Sequence, residues 1–285
     1  TPAGEMVTEG ALDAPFVVMG KRRRTMRIAA GVEYDGRRFH GWQTQGDERC
    51  VQDTVEGALS QVAGAPIRVS CAGRTDAGVH ALGQVIHFDS PVERPDRAWV
   101  LGANTALPND VSLLWARPVP DGFHARFSAS SRSYRYLILD RSARSSLLAR
   151  RVTWIHRAMD AEAMRLAAEP LLGTHDFSSY RAIGCQAKHP VRTISHLTVR
   201  RVGELIELRV TANGFLHHMV RNIAGVLIAI GRGDRGVGWA REVLDYRDRT
   251  LGGFTAPPDG LYFERVEYPP EFGLPIERRD YGIVI

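Results

Sequence analysis

The ten residues A-G-R-T-D-A-G-V-H-A, positions 72–81, follow a short apolar run at 67–71. That run alternates and carries β-branched residues, as a strand does. Gly73 and Gly78 bracket Arg74, Thr75 and Asp76. Glycines so placed let the backbone take conformations a side chain would forbid. The segment predicts a tight, exposed loop that holds one carboxylate and one guanidinium. Spacing alone leaves two readings open. In one, the loop is a strand-to-strand turn with Asp76 in a turn position and Arg74 as its surface partner. In the other, the charged pair meets a substrate.

Further blocks lie on either side: V-E-Y-D-G at 32–36, G-W-Q at 41–43, F-H-A-R-F-S-A at 123–129, Y-R-Y at 134–136, H-H-M-V-R-N at 217–222 and G-L-Y at 260–262. Together with G-R-T-D-A-G-V-H-A they resemble the motifs of the tRNA pseudouridine synthase A family, in that family's order. The likeness covers residues 27–268. In the family, the Asp of the central motif is the catalytic residue.

The wider chain fits a partner that is acidic. The 285 residues carry a formal charge of +5 and a sequence pI of about 9.4, which suits a nucleic acid. Lys occurs only at Lys21 and Lys188, so nearly all the positive charge is Arg. Arg stacks on bases and forks onto phosphates better than Lys does, although codon bias in a G+C-rich genome gives the same skew. Cys50, Cys71 and Cys185 are scattered and lack metal-ligand spacing, which points to a reduced cytosolic compartment. The longest apolar run, 223–230, is too short to span a membrane. Residues 1–24 show no sustained periodicity and end in Lys21-Arg22-Arg23-Arg24, so a disordered N-terminal extension is expected there. The apolar stretch 16–20 is too short for a secretory segment, and the leading Thr1 leaves the translation start open.

Taken in order, the pattern predicts a strand at 27–34, an amphipathic helix at 51–63 behind the poor cap Cys50, and strands at 67–71 and 84–88. A helix at 96–107 and a strand at 111–116 follow. Trp42 reads as a core anchor. The β-α-β-β-α-β order then recurs: a strand at 133–139, a helix capped by Asp160 to about Leu171, strands at 192–201 and 204–211, a helix at 217–231 and a strand at 261–268. An extra helix is expected at 237–246. The predicted class is α+β, with two ferredoxin-like halves at 25–120 and 121–285. The resemblance adds a continuous, mainly antiparallel sheet with a basic cleft between the halves. It implies that the Asp76 loop of one half meets the Tyr134 strand, the Arg221 helix and the Leu261 strand of the other.

Pseudouridine formation breaks the N1–C1′ bond of uridine and joins C5 to C1′, so no redox cofactor is needed, and no glycine-rich phosphate loop precedes a helix. It needs one nucleophile or base in a pocket that keeps water out. An apolar pocket disfavours a carboxylate about as strongly as an adjacent guanidinium favours it. A dry pocket around Asp76 therefore needs an Arg, and the resemblance supplies Arg221; a helix-surface role for Arg221 is the alternative. By resemblance Arg74 contacts RNA phosphate or extrudes the base, against a local ion pair with Asp76. Tyr134 would stack on the uracil, worth about 1–3 kcal/mol, against a place in a core stripe with Tyr136 and Ile138. Leu261 would line the pocket, against an ordinary strand-core role. Arg126, Arg132, Arg135 and His124 crowd the segment around Tyr134, as in a nucleic-acid groove or on a solvated edge. His217 and His218 are adjacent, and one helix face cannot offer both to one metal; His80 and His87 lack a partner carboxylate at ligand spacing. No metal and no cofactor are expected.

The sequence thus points to an isomerase acting on uridine in tRNA through Asp76. The resemblance implies positions 38, 39 and 40 of the anticodon stem-loop and a homodimer. Two other classes compete: a non-catalytic RNA-binding protein, which would tolerate Asn at position 76, and a nucleosidase, which would need a second carboxylate.

Overall fold

The computed structural model describes residues 25–275. The extension expected at 1–24 lies outside the described residues. The class is α+β. In chain order the elements are β1 (Met26–Tyr34), α1 (Val51–Ala63), β2 (Ser70–Cys71), β3 (His80–Ser90), α2 (Asp96–Ala106), β4 (Val111–Pro118), β5 (Ser131–Asp140), β6 (Thr153–Ile155), α3 (Ala161–Ala168), β7 (Gly173–Asp176), β8 (Val191–Val202), β9 (Leu205–Ala212), α4 (Met219–Gly231), α5 (Trp239–Tyr246) and β10 (Leu261–Glu267).

Among the described residues, all ten strands join one mostly antiparallel sheet in the order β4-β1-β3-β10-β5-β9-β8-β7, with β2 added to β3 and β6 to β5. The run from β1 to β4 orders its strands β4-β1-β3-β2. The run β5, β8, β9, β10 orders them β10-β5-β9-β8, the same relative order. The two runs meet along β3. Its outer edge pairs with β2 at Ile86 and His87 and, further down, in parallel with β10 at His80 and Ala81.

Alternation along β5 sorts its side chains to two faces. Tyr136 and Ile138 enter a core with α3, α4 and α5, while Leu137 and Leu139 form a small cluster with Val152 on the other side. A second large core lies among α1, α2 and β1, β3 and β4, around Trp42, Phe88, Trp99 and Phe123. Trp42 is the core anchor its type suggests. Tyr134 packs against both large cores.

Several expectations need correction. The strand at 67–71 shortens to Ser70–Cys71, because α1 side chains take its backbone donors: Ser60 Oγ accepts from Ile67 N at 2.9 Å and Glu56 Oε1 from Val69 N at 3.0 Å. The strand at 84–88 instead lengthens back to His80, so the Asp76 loop runs directly into β3. Helix α3 stops at Ala168, and a 3₁₀ turn containing Pro170 takes over, since proline removes a helix donor. Helix α4 starts at Met219 rather than at His217, because His218 sits in the left-handed region at φ 60°. The short strands β6 and β7 were not expected.

Candidate active site

The loop between β2 and β3 is held along its length. The Gln84 side chain, fully buried, donates to Gly73 O at 2.6 Å and accepts from Gly73 N at 3.3 Å. Thr75 is also buried; its hydroxyl bonds the Tyr34 hydroxyl at 2.8 Å, and its carbonyl accepts from Trp42 N at 3.0 Å. Gly41 makes that last approach possible. It lies at φ 94°, and an added Cβ would stand 2.7 Å from Thr75 O. At the far end Gly78, at φ 81°, donates to Phe39 O at 3.2 Å. Asp76 projects from this fixed frame, partly exposed.

The partners of Asp76 come from the start of α4, about 145 residues later. Arg221 Nη1 donates to Asp76 Oδ2 at 2.9 Å, while Arg221 Nε donates to Ala256 O at 2.8 Å. His217 Nε2 stands 3.4 Å from Asp76 Oδ1 and His218 Nε2 3.3 Å from Oδ2. Sequence reasoning missed both histidines. It placed them on a helix face that would separate them, whereas both precede α4 and the left-handed turn at His218 aims both rings at the carboxylate. The signal was present as an adjacent His pair ahead of Arg221. Burial pulls the His218 imidazole below its ordinary range, against the attraction of Asp76. The donor atoms of Asp76, His217 and His218 lie within 4.8 Å of one another and could hold a metal ion. His80, for its part, does have a carboxylate beside it, Asp35 Oδ1 at 3.3 Å.

The apolar side of the site comes from the strands. Tyr134 meets Phe215 and Phe263 edge-on, at 5.0 and 4.9 Å between ring centroids. Burial, with Tyr34 and Asp76 adding to it, pushes the Tyr134 phenol far above its ordinary range, so it keeps its proton. Leu261 is buried in the core that contains Val79, three residues beyond Asp76. Tyr136 is wholly buried, with its hydroxyl on Thr153 and on Pro257 O. Burial also pushes the Cys71 thiol up to about 12, in spite of Arg74, which leaves it a poor nucleophile.

The remaining arginines differ in what they touch. Arg74 is exposed, and among the described residues nothing joins it to Asp76. Arg126 is exposed and lies 5.5 Å over the Phe127 ring. Arg132 reaches four carbonyls, those of Ala72, Arg126, Ala129 and Asn213. Arg135 points to the opposite face and pairs with buried Glu207 at 2.7 Å.

This arrangement presents one paired, partly exposed carboxylate. The sequence profile described as "tRNA pseudouridine synthase" matches residues 30–128 and 167–269, which contain Asp76 and Arg221. The chain belongs to the tRNA pseudouridine synthase family. Among its relatives in this family of isomerases, a tRNA pseudouridine synthase A of Pseudoalteromonas atlantica is 56% identical over 250 residues, covering 88% of this chain and 95% of that one. The enzyme of the same name from Methylococcus capsulatus is 58% identical, covering 87% and 92%. That of Pseudomonas aeruginosa is 58% identical, covering 87% and 88%.

Proposed function

We propose that this chain converts uridine to pseudouridine at positions 38, 39 and 40 of the tRNA anticodon stem-loop, with Asp76 as the nucleophile. The observation that carries the reading is the 2.9 Å pair between Asp76 and Arg221. It joins the two charged residues of separate family motifs, and we read Tyr134 and Leu261 as the apolar lining beside them. Asp76 engages the nucleoside while the N1–C1′ bond breaks; the uracil turns, C5 bonds to C1′, C5 loses its proton and N1 gains one. Atoms and electrons balance without a co-reactant. Arg221 orients the carboxylate through its 2.9 Å hydrogen bond. Tyr134 stacks on the base, Leu261 walls the pocket, and exposed Arg74 and Arg126 meet phosphates. Arg132 lines the same groove and, through its carbonyl contacts, fixes the segments that form it.

The shared strand order of the two runs supports the reading of 25–120 and 121–285 as ferredoxin-like halves, with the basic cleft between them. A homodimer, in which one subunit holds the stem-loop and its mate supports the tRNA body, and a cytoplasmic site of action complete the proposal. Among the described residues no helix is long and apolar enough to cross a membrane.

The test is pseudouridine mapping in tRNA treated with purified protein. Wild type should modify positions 38–40. Asp76→Asn should abolish the product while tRNA affinity stays within a few-fold. Product from the Asn variant would remove Asp76 from the role, and release of free uracil by wild type would favour a nucleosidase.

A further inference from the structure

Among the described residues, Phe127 is the most exposed of the aromatic side chains that the cores leave out, beyond Trp154, Tyr246 and Phe254. It is 75% exposed, on the turn between β4 and β5. An exposed apolar residue is ordinary in itself. What sets this one apart is how firmly it is held out. His124 Nδ1 accepts from Arg126 N at 3.1 Å and from Phe127 N at 3.4 Å. Ser128 N donates to His124 O at 2.9 Å, and Ser128 Oγ accepts from His124 N at 2.9 Å. Arg132 closes the turn from below through the carbonyls of Arg126 and Ala129. The Nδ1 acceptor role needs a neutral imidazole, and burial together with Arg27 and Arg126 keeps the His124 ring below its ordinary range.

The same Arg132 reaches Ala72 O, at the start of the Asp76 loop, at 3.3 Å. The turn and the catalytic loop are therefore tied to one guanidinium. The His124 ring lies against it at 4.3 Å between centroids, tilted by 36°, and the Arg126 guanidinium stands 5.5 Å over it. A rigid, exposed aromatic next to an exposed arginine is what a protein offers to an unpaired base: the ring stacks, the cation meets the phosphate, and no ordering is needed on binding.

We infer that Phe127 is a stacking platform for an unpaired nucleobase of the RNA, adjacent to the nucleotide that enters the Asp76 pocket. The inference rests on the proposed function and adds a second base-binding subsite to it. The experiment measures tRNA binding by filter retention and pseudouridine formation by steady-state kinetics for wild type, Phe127→Ala, Phe127→Leu and Phe127→Trp. Loss of the platform should raise KM and Kd for tRNA by about five- to a hundred-fold, the range of a base–aromatic stack, with kcat at saturating tRNA unchanged. Leu should behave like Ala, and Trp like wild type. Equal Kd for Ala and wild type would overturn the platform, as would a Leu variant with wild-type affinity, which would mean apolar contact without stacking. A change in sedimentation of Phe127→Ala would instead make the ring a contact between copies of the chain. If wild type made no pseudouridine, the proposed function would fail while the filter assay still read the Phe127 contact.

Discussion

Asp76 is placed by residues that do no chemistry. Gln84 is the clearest of them: wholly buried, it spends both ends of its amide on the backbone of Gly73. Gln84→Ala should strand a half-buried N–H and a half-buried carbonyl. The expected loss is about 1–3 kcal/mol, read as a lower urea midpoint, together with a fall in kcat as the loop loosens. A variant with wild-type stability and turnover would show that Trp42 and Tyr34 hold the loop unaided. Arg74 illustrates the other side of this scale. A local ion pair with Asp76 was the alternative to its role by resemblance, yet the Asp76 carboxylate is taken by Arg221 and the two histidines. That leaves the Arg74 guanidinium turned to solvent, where a phosphate can reach it.

Helix α4 sets the geometry of the site from below. Gly225 lies on the face where the 253–256 segment crosses, and an added Cβ there would overlap the Phe254 carbonyl oxygen. In an open helix Gly→Ala gains about 1 kcal/mol. Here Gly225→Ala should instead cost about 1–3 kcal/mol, as overpacking does. It should also lower kcat, because displaced Ala256 is the acceptor for Arg221 Nε. Denaturation and turnover of the variant check both; a stabilised, fully active protein would contradict the close approach.

The same element marks what the sequence could show. Its apolar period was legible, as were those of α1 and β1 and the β8–β9 pair, and Asp76, Arg221 and Tyr134 were singled out by motif. The two histidines were not, because their aim depends on a left-handed residue that is not glycine, which costs about 1–2 kcal/mol and is rarely populated. β6 and β7 span three and four residues, too few to display a period. The shortening of β2 depends on α1 side chains that only tertiary contact brings near.

The whole molecule should carry a pH signature from His87. Burial first, then His124 and Arg27, lower this imidazole from 6.5 to about 4, with Asp89 opposing. Its Nδ1 accepts from Ala125 N at 3.2 Å, which suits the neutral ring. The unfolded chain takes the proton first as pH falls. Stability is therefore complete above about pH 6.5 and drains away between there and about pH 4. The expected loss is on the order of 3 kcal/mol. Urea titrations at pH 7.5 and 4.5 measure it. His87→Gln should flatten the difference, and an equal slope in the variant would assign it to other groups.

One consequence belongs to the order in which the chain is made. β3 is complete by residue 90, yet the parallel partner that covers its lower edge begins at residue 261. A nascent chain leaving the ribosome thus carries Asp76 long before Phe263 or Arg221 exists. For most of its translation the carboxylate waits on a half-finished sheet with an open border, exposed to mispairing with other nascent strands. The sheet is closed late, when β10 takes its place between β3 and β5.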